Sequence, residues 1–413
     1  MMTRHTILGS WLFVALAACS SGGGGGAANG AGSGPGAGAA TGGGGAAVGG
    51  AGAAGAATSG AGGTAVSTGG SGGMEISAGG VGGGVGGGGA SQAGSGGAAG
   101  GVAGSAGASG AGGGASGPVK PVMRAGEWAF DVGELTFQVD ATKGGRITTL
   151  KLGAGDNILT GPDTNPIYWG STLWTSPESQ WAQPPPTPID SDPYTAVATD
   201  TTLTLTGMSY AMLGVSVTKT FSADAKLGAI HIEYKLTNTK QAAIQMAPWE
   251  VTRVYPKGLT FFSTGPTAPT LSVGATLPTT TTGTANAGGV TWFNYDMNAA
   301  TADSKLYADG AEGWSAHAVD GLVFIKSFGD VMAAQIAPKE GDTELYTNSP
   351  KTLKPGTKLY IEMEDQGAYG MIAPAASVTW NVTWFLKKLP AGVDGTAPND
   401  ALAKFVRDTI SAK

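Results

Sequence analysis

AIHIEYKLTN, residues 229–238, alternates without a break: Ile230, Ile232, Tyr234 and Leu236 fall on one side, His231, Glu233 and Lys235 on the other. Successive side chains of a strand point to opposite faces, so this run predicts a β-strand with one buried face and one wet face. The same signal, enriched in Thr, Val, Ile and aromatic residues, recurs on both sides of it. Upstream it marks Glu134–Asp140, Arg146–Leu152, Thr202–Met208 and Val215–Phe221. Downstream it marks Ile244–Val254, Leu259–Ser263, Trp314–Ala318, Gly321–Ser327, Lys358–Glu364 and Ser377–Lys388. About a dozen antiparallel strands in one stretch exceed an immunoglobulin-like unit and predict an all-β fold, one large antiparallel β-sandwich. A single short helix is expected at the end: Asp400 can cap ALAKFVRDTI (401–410), whose Leu402, Phe405, Val406 and Ile410 form an apolar stripe.

The other end of the chain has a different composition. MMTRHTILGSWLFVALAAC (1–19) has the form of a secretory signal, with Arg4 ahead of an apolar run from Ile7 to Ala18 that is too short to span a bilayer. Its last four residues, Leu16-Ala17-Ala18-Cys19, resemble the lipobox of bacterial lipoproteins. That resemblance implies cleavage before Cys19 and a diacylglycerol on its thiol. Cys19 is the only cysteine of the chain, so no internal disulfide can form. Ser20 rather than Asp follows it, which points to an outer-membrane anchor in a didermic host. Residues 20–117 are almost wholly Gly, Ala, Ser and Thr, with Glu75 the one charge. Such a segment buries too little apolar surface to offset its ordering entropy. It is expected to be a coil with a root-mean-square span of about 55 Å, a tether or low-complexity drift.

The folded part is then 118–413. Removing Arg4 and Glu75 cancels, so the formal net charge of this part stays at −6. Mild acidity without Lys/Arg clusters argues against nucleic acid or an anionic polymer as a partner. A monomer is expected, touching the membrane through the lipid on Cys19 alone.

WGSTLWTSPESQWAQPPP (169–186) fits neither strand nor helix periodicity and is expected to be a loop. It carries three tryptophans, Trp169, Trp174 and Trp181, within thirteen residues. Large aromatic surfaces on such a loop need a core to enter or a ligand to lie against. Trp174, with Ser171, Thr172, Thr175 and Ser176 close by, is the first choice for a ligand contact; Trp380 and Trp384 are expected in the core. If Trp174 stacks on a ligand at a cleft mouth, its truncation should weaken binding by about 1–2 kcal/mol and cost little stability.

Three further stretches carry a family resemblance. GGRITTLKLGAGDNIL (144–159) resembles the opening hairpin of galactose mutarotase-like domains, the β-supersandwich shared by aldose 1-epimerases and parts of many glycoside hydrolases. IHIEYKLTNTKQAAIQMAPWEVTRV (230–254) resembles their central strand pair, and ASVTWNVTWFLKKLP (376–390) their closing strand. The three occur in the order of that superfamily and are most similar to a bacterial branch of undefined function. The resemblance implies a concave sheet face that binds a sugar. Composition agrees: indole faces suit the C–H patches of a sugar, and forked polar groups suit its hydroxyls.

Opening a sugar hemiacetal needs a base for the anomeric proton and an acid for the ring oxygen. In the family the base is a glutamate in a Leu-Glu-Thr-Gln-like stretch, which Met363-Glu364-Asp365-Gln366 resembles, so Glu364 takes that role and Gln366 lies beside it. The family's acid is a histidine, but the matching stretch here is Met246-Ala247-Pro248-Trp249-Glu250. Glu250 is therefore the candidate acid, with Trp249 and Arg253 as candidate sugar contacts from the same strand. An ion pair with Arg253 is the structural alternative for Glu250, although an odd separation on a strand puts the two on opposite faces. A solvated strand-end carboxylate is the alternative for Glu364. Arg146 is expected to meet sugar hydroxyls, to hold a carboxylate or to form a structural salt bridge. No metal and no cofactor are expected, since Gly153–Asn157 and Asp303 lack EF-hand spacing and no His/Cys cluster exists. Three function classes follow: a membrane-anchored carbohydrate-binding protein, a sugar epimerase or glycosidase using Glu364 with Glu250, and a structural or adhesion scaffold.

Overall fold

The alternation at 229–238 is realised as a strand whose Ile230, Ile232, Tyr234 and Leu236 are buried while Glu233 faces solvent. The structure is a computed structural model describing residues 118–267, 269–271, 289–296 and 300–413. The signal at 1–19 with Cys19, and the Gly/Ala-rich segment at 20–117, lie outside the described residues.

Two antiparallel sheets face each other. The first begins with β1 (Val122–Arg124), β2 (Glu127–Val132), β3 (Leu135–Asp140), β4 (Arg146–Leu152) and β5 (Ser171–Ser176). It continues through β10 (Ile244–Val254), β18 (Ile361–Gln366), β17 (Thr343–Thr347), β14 (Ser304–Ala308) and β12 (Thr270–Leu271). A short β19 (Gly370–Ile372) also pairs with β10. The second sheet runs β13 (Val290–Asn294), β11 (Leu259–Thr264), β15 (Gly310–Val319), β16 (Leu322–Phe328), β20 (Ser377–Lys388). It ends with β9 (Ala229–Asn238), β8 (Val215–Asp224), β7 (Thr202–Thr206) and β6 (Thr195–Ala198). The all-β antiparallel sandwich is thus the observed architecture.

Side chains from both inner faces fill the space between the sheets, among them Phe130, Phe137 and Leu173 from the first and Phe221, Ile232 and Trp384 from the second. Trp380 and Trp384 both belong to this core. The outer face of the second sheet is covered by α2 (Asp400–Ser411), whose Leu402, Ala403 and Val406 pack on Phe261, Trp292, Trp314 and Phe385. Its cap is Asn399, whose Oδ1 accepts from the Leu402 amide at 2.9 Å, so Asp400 is the first helical residue rather than the cap. An Asn one residue earlier supplies the same acceptor in the same geometry.

The segment 169–186 is not one loop. Residues 171–176 form β5, every residue of it buried, followed by the four-residue helix α1 (Thr187–Asp190). Because both faces of β5 are covered, its sequence loses the polar–apolar alternation that marks a half-exposed strand. Gly144 sets the position of α1. At φ +69° it adopts the left-handed region, and a Cβ there would lie 2.1 Å from the Asp190 carbonyl oxygen. Only glycine lets the two backbones approach so closely, and the approach fixes Asp190.

Candidate functional site

The outer face of the first sheet is built by strand parity. In β10, Trp249, Val251 and Arg253 point outward while Glu250 points into the core between the sheets, because neighbouring residues on a strand take opposite faces. Register then sets three rows across the face. Trp174, Trp249 and Gln366 form one. Thr172, Val251, Glu364, Glu344 and Tyr307 form the next. Arg253, Glu362, Tyr346 and Lys305 form the third.

The aromatic half lies over β5 and β10. Trp174 meets Trp249 edge-on at 5.3 Å, Trp181 at 5.6 Å and Tyr168 at 6.4 Å between ring centroids. Trp181 and Tyr168 come from the segments flanking β5 and close over the strand, each half-buried. The Trp174 indole N–H donates to Asp190 Oδ1 at 2.8 Å, and Trp181 donates to the Thr175 carbonyl at 2.8 Å. Arg253 is wholly buried; its Nε donates to Glu362 Oε1 at 2.7 Å, and its guanidinium carbon lies 5.0 Å from the Trp174 ring centre and 5.4 Å from that of Tyr168.

The acidic half lies over β18, β17 and β14. Lys305 Nζ contacts Glu344 Oε2 at 2.6 Å and Glu364 Oε2 at 3.0 Å, and sits 4.7 Å from the centre of the Trp249 ring. Gln366 Nε2 donates to Glu344 Oε1 at 3.0 Å. Burial raises the Glu344 carboxyl to about 7, with Glu340 adding to the rise and Lys305 opposing it. Burial likewise pushes Glu364 well above the usual carboxylate range, with Glu344 and Glu362 assisting and Lys305 opposing. Lys305 itself is held charged: burial disfavours its ammonium, but Glu344 and Glu364 outweigh that.

Several buried polar atoms of this face have no hydrogen-bond partner, among them Trp249 Nε1, Glu364 Oε1, Gln366 Oε1, and Arg253 Nη1 and Nη2. Native proteins leave few such atoms, and each costs about 1–3 kcal/mol, so a concentration of them on one face calls for an explanation.

Among the sequence candidates, Glu364, Gln366, Trp249, Arg253, Trp174 and Trp181 come together here. Three others, Glu250, Arg146 and Trp169, take no part in it. Glu250 faces the other way: Lys326 Nζ is 2.8 Å from its Oε2, Trp384 Nε1 donates to the same oxygen at 3.3 Å, and Tyr234 donates to Oε1. It pairs across the strands with Asp365, not Glu364, so Glu250 and Glu364 lie on opposite faces and cannot act on one substrate. Its ion pair is with Lys326, while Arg253 pairs with Glu362. Arg146 is committed to structure: Nη2 contacts Asp190 Oδ2 at 2.9 Å, and Nη1 donates to the carbonyls of Ile167 and Trp169. Trp169 lies under that guanidinium, 4.9 Å away, rather than in the Trp174 cluster. Trp174 is on a strand and 3 % exposed, not at a loop tip.

Sequence reasoning missed Glu344, Lys305, Glu362, Asp190 and Tyr168. Their signal was present but short: Lys305-x-Tyr307, Glu344-x-Tyr346 and Glu362-x-Glu364-x-Gln366 each place polar or aromatic groups at period two. Both histidines of the folded part lie on the second sheet. His317 bonds Thr260 Oγ1 through Nδ1 at 2.9 Å, and burial presses it down to about 4. Among the described residues no His, Cys, Asp and Glu group is arranged to hold a metal; Asp303 instead accepts from the Ser349 amide at 2.8 Å and from Tyr346 Oη at 3.0 Å.

A cavity of about 770 Å³ opens elsewhere, beside Tyr255, Lys257, His317, Asp320 and Lys388. Its two lysines are already paired, Lys257 with Asp320 and Lys388 with Glu134. The outer face of the first sheet, with its unpartnered atoms, is the stronger site.

Solved structures similar to this chain include galactose mutarotase-like proteins. One from Lactobacillus casei is 11% identical with a TM-score of 0.45, over 63% of this chain and 100% of that one. One from Clostridium acetobutylicum is 8% identical with a TM-score of 0.41, over 66% and 98%. A galactose mutarotase related enzyme from Lactobacillus acidophilus is 7% identical with a TM-score of 0.43, over 65% and 99%. No functional statement passes to this chain at such identities. No curated protein matches the sequence. Residues 130–387, more than half of the chain, match the family described as Domain of unknown function (DUF4380), and the chain belongs to that family.

Proposed function

We propose that this chain is a carbohydrate-binding protein, anchored to the bacterial envelope by a lipid on Cys19, and that a sugar lies on the outer face of the first sheet. One observation carries the binding reading: buried indoles and unpartnered donors and acceptors share that face. Trp249 Nε1 and the Arg253 Nη groups want acceptors, whereas Glu364 Oε1 and Gln366 Oε1 want donors. A polyol offers both from one ring, and its C–H faces suit the indoles.

The test is titration of the protein with mono- and oligosaccharides, followed by intrinsic fluorescence. Glu364→Gln keeps the shape but replaces a carboxyl oxygen with an amide group, and should weaken binding by about 0.5–1.5 kcal/mol, the scale of one hydrogen bond. Unchanged affinity in a folded Glu364→Gln variant would remove this face from the site.

A catalytic reading has one specific support. Glu344 and Glu364 are directly opposed across two strands, share Lys305, and both have raised pKa values. One protonated and one ionised carboxyl is what ring-opening of a hemiacetal requires, with the acid on the ring oxygen and the base on the anomeric hydroxyl. In this reading Glu344 replaces Glu250 as partner of Glu364.

The anchor rests on the lipobox-like residues 16–19. Cys19→Ala should release the mature protein from the membrane fraction or leave it uncleaved. Full retention of a cleaved Cys19→Ala protein would refute the lipid.

A further inference from the structure

The two buried arginines near this face differ in what remains of their donors. Arg146 uses Nη1 and Nη2 on Asp190 and two carbonyls. Arg253 uses only Nε, on Glu362, and its end-on fork, Nη1 with Nη2, is buried and without a partner. The rings of Trp174 and Tyr168 restrain its plane. A planar fork held in place is the geometry that takes two oxygens of one carboxylate, with charge assistance that a neutral hydroxyl pair does not supply.

Charge is divided along the face. Around Arg253, the pairs Arg253–Glu362 and Arg146–Asp190 cancel. Around Lys305, the two carboxyls of Glu344 and Glu364 share one ammonium, so that end offers no spare cation to a ligand anion. A ligand is therefore oriented with its acidic group at Arg253 and its hydroxyls at Glu364 and Gln366.

Resting on the sugar-binding reading, we propose that the ligand is a uronic acid or a uronate-containing saccharide, its carboxylate held by the Arg253 fork. A phosphate is a poorer fit, since its second charge would face Glu362 and Asp190 with a single free fork to meet it.

The experiment titrates the full chain with galacturonate and glucuronate, their methyl esters, the parent hexoses and a hexose phosphate. A uronate should bind about tenfold or more tightly than its ester or hexose, the order expected of a charge-assisted bidentate contact. Arg253→Gln should bring uronate and ester to similar affinity, and Arg253→Lys, which keeps charge but not the fork, should recover only part of the difference. Esters or hexoses binding as tightly as uronates would overturn the uronate proposal while leaving the sugar site standing. A uronate preference surviving in Arg253→Gln would place the carboxylate elsewhere and overturn it too, as would a tighter hexose phosphate. Binding of no sugar at all would sink both readings. If Arg253→Gln does not fold, the ester comparison on the wild-type protein decides alone.

Discussion

Trp174→Ala is expected to lower the unfolding free energy by roughly 3–5 kcal/mol, the range for emptying a buried tryptophan site. Trp174 is 3 % exposed and touches three other aromatic rings. Its loss also strips Asp190 Oδ1 of an indole donor and removes one ring from beside the Arg253 guanidinium. Urea melting of wild type and variant measures the effect. A drop below about 1 kcal/mol, with sugar affinity reduced, would restore Trp174 as an exposed ligand contact and contradict its place on β5. The sequence expectation of a small stability effect came from its Thr and Ser neighbours. In the strand Thr172 shares the outer face with Trp174, and the chain segments before and after β5 cover both.

Lys326→Met should be at least as costly, about 3–5 kcal/mol, because removing one partner of a buried ion cluster strands the others. Lys326 reaches from β16 across the core to Asp365 Oδ2 at 2.6 Å and Glu250 Oε2 at 2.8 Å, all three side chains fully buried. Ser315 also donates to Asp365 at 2.9 Å. Burial raises Asp365 above its ordinary 3.8 even with Lys326 opposing, so losing the lysine raises it further. A carboxyl raised in the folded state contributes stability that is present below its unfolded pKa and lost as pH rises through the folded value. The deficit of Lys326→Met should therefore shrink as the pH is lowered from 8 toward 5, read as the change in urea midpoint at each pH. A deficit independent of pH would mean that packing, not charge, dominates the loss.

The parts of the fold legible in the sequence were long strands, marked by alternation or by Thr, Val, Ile and aromatic enrichment. Ala229–Asn238, Arg146–Leu152, Ile244–Val254 and Ser377–Lys388 have the bounds their periodicity and composition indicate. β5 was not legible, because its six residues are covered on both sides and show no alternation, and β14 and β17 were too short for the pattern to stand out. Side-chain parity was also legible: Trp249 and Arg253 must share a face that Glu250 leaves, and Glu362, Glu364 and Gln366 must share one that Asp365 leaves.

Which faces meet, and what stands beside each residue, was decided by tertiary structure alone. The sheet order β5–β10–β18–β17–β14 joins strands far apart in the chain. That order, with its register, sets Glu344 opposite Glu364, brings Lys305 between them and puts Trp174 against Trp249. The opposite sheet supplies Lys326 to the face that Glu250 and Asp365 turn inward. Periodicity is a local property, set by backbone geometry over a few residues. The neighbours across a sheet depend on which strands pair and in what register, and that is chosen by the packing of the whole sandwich.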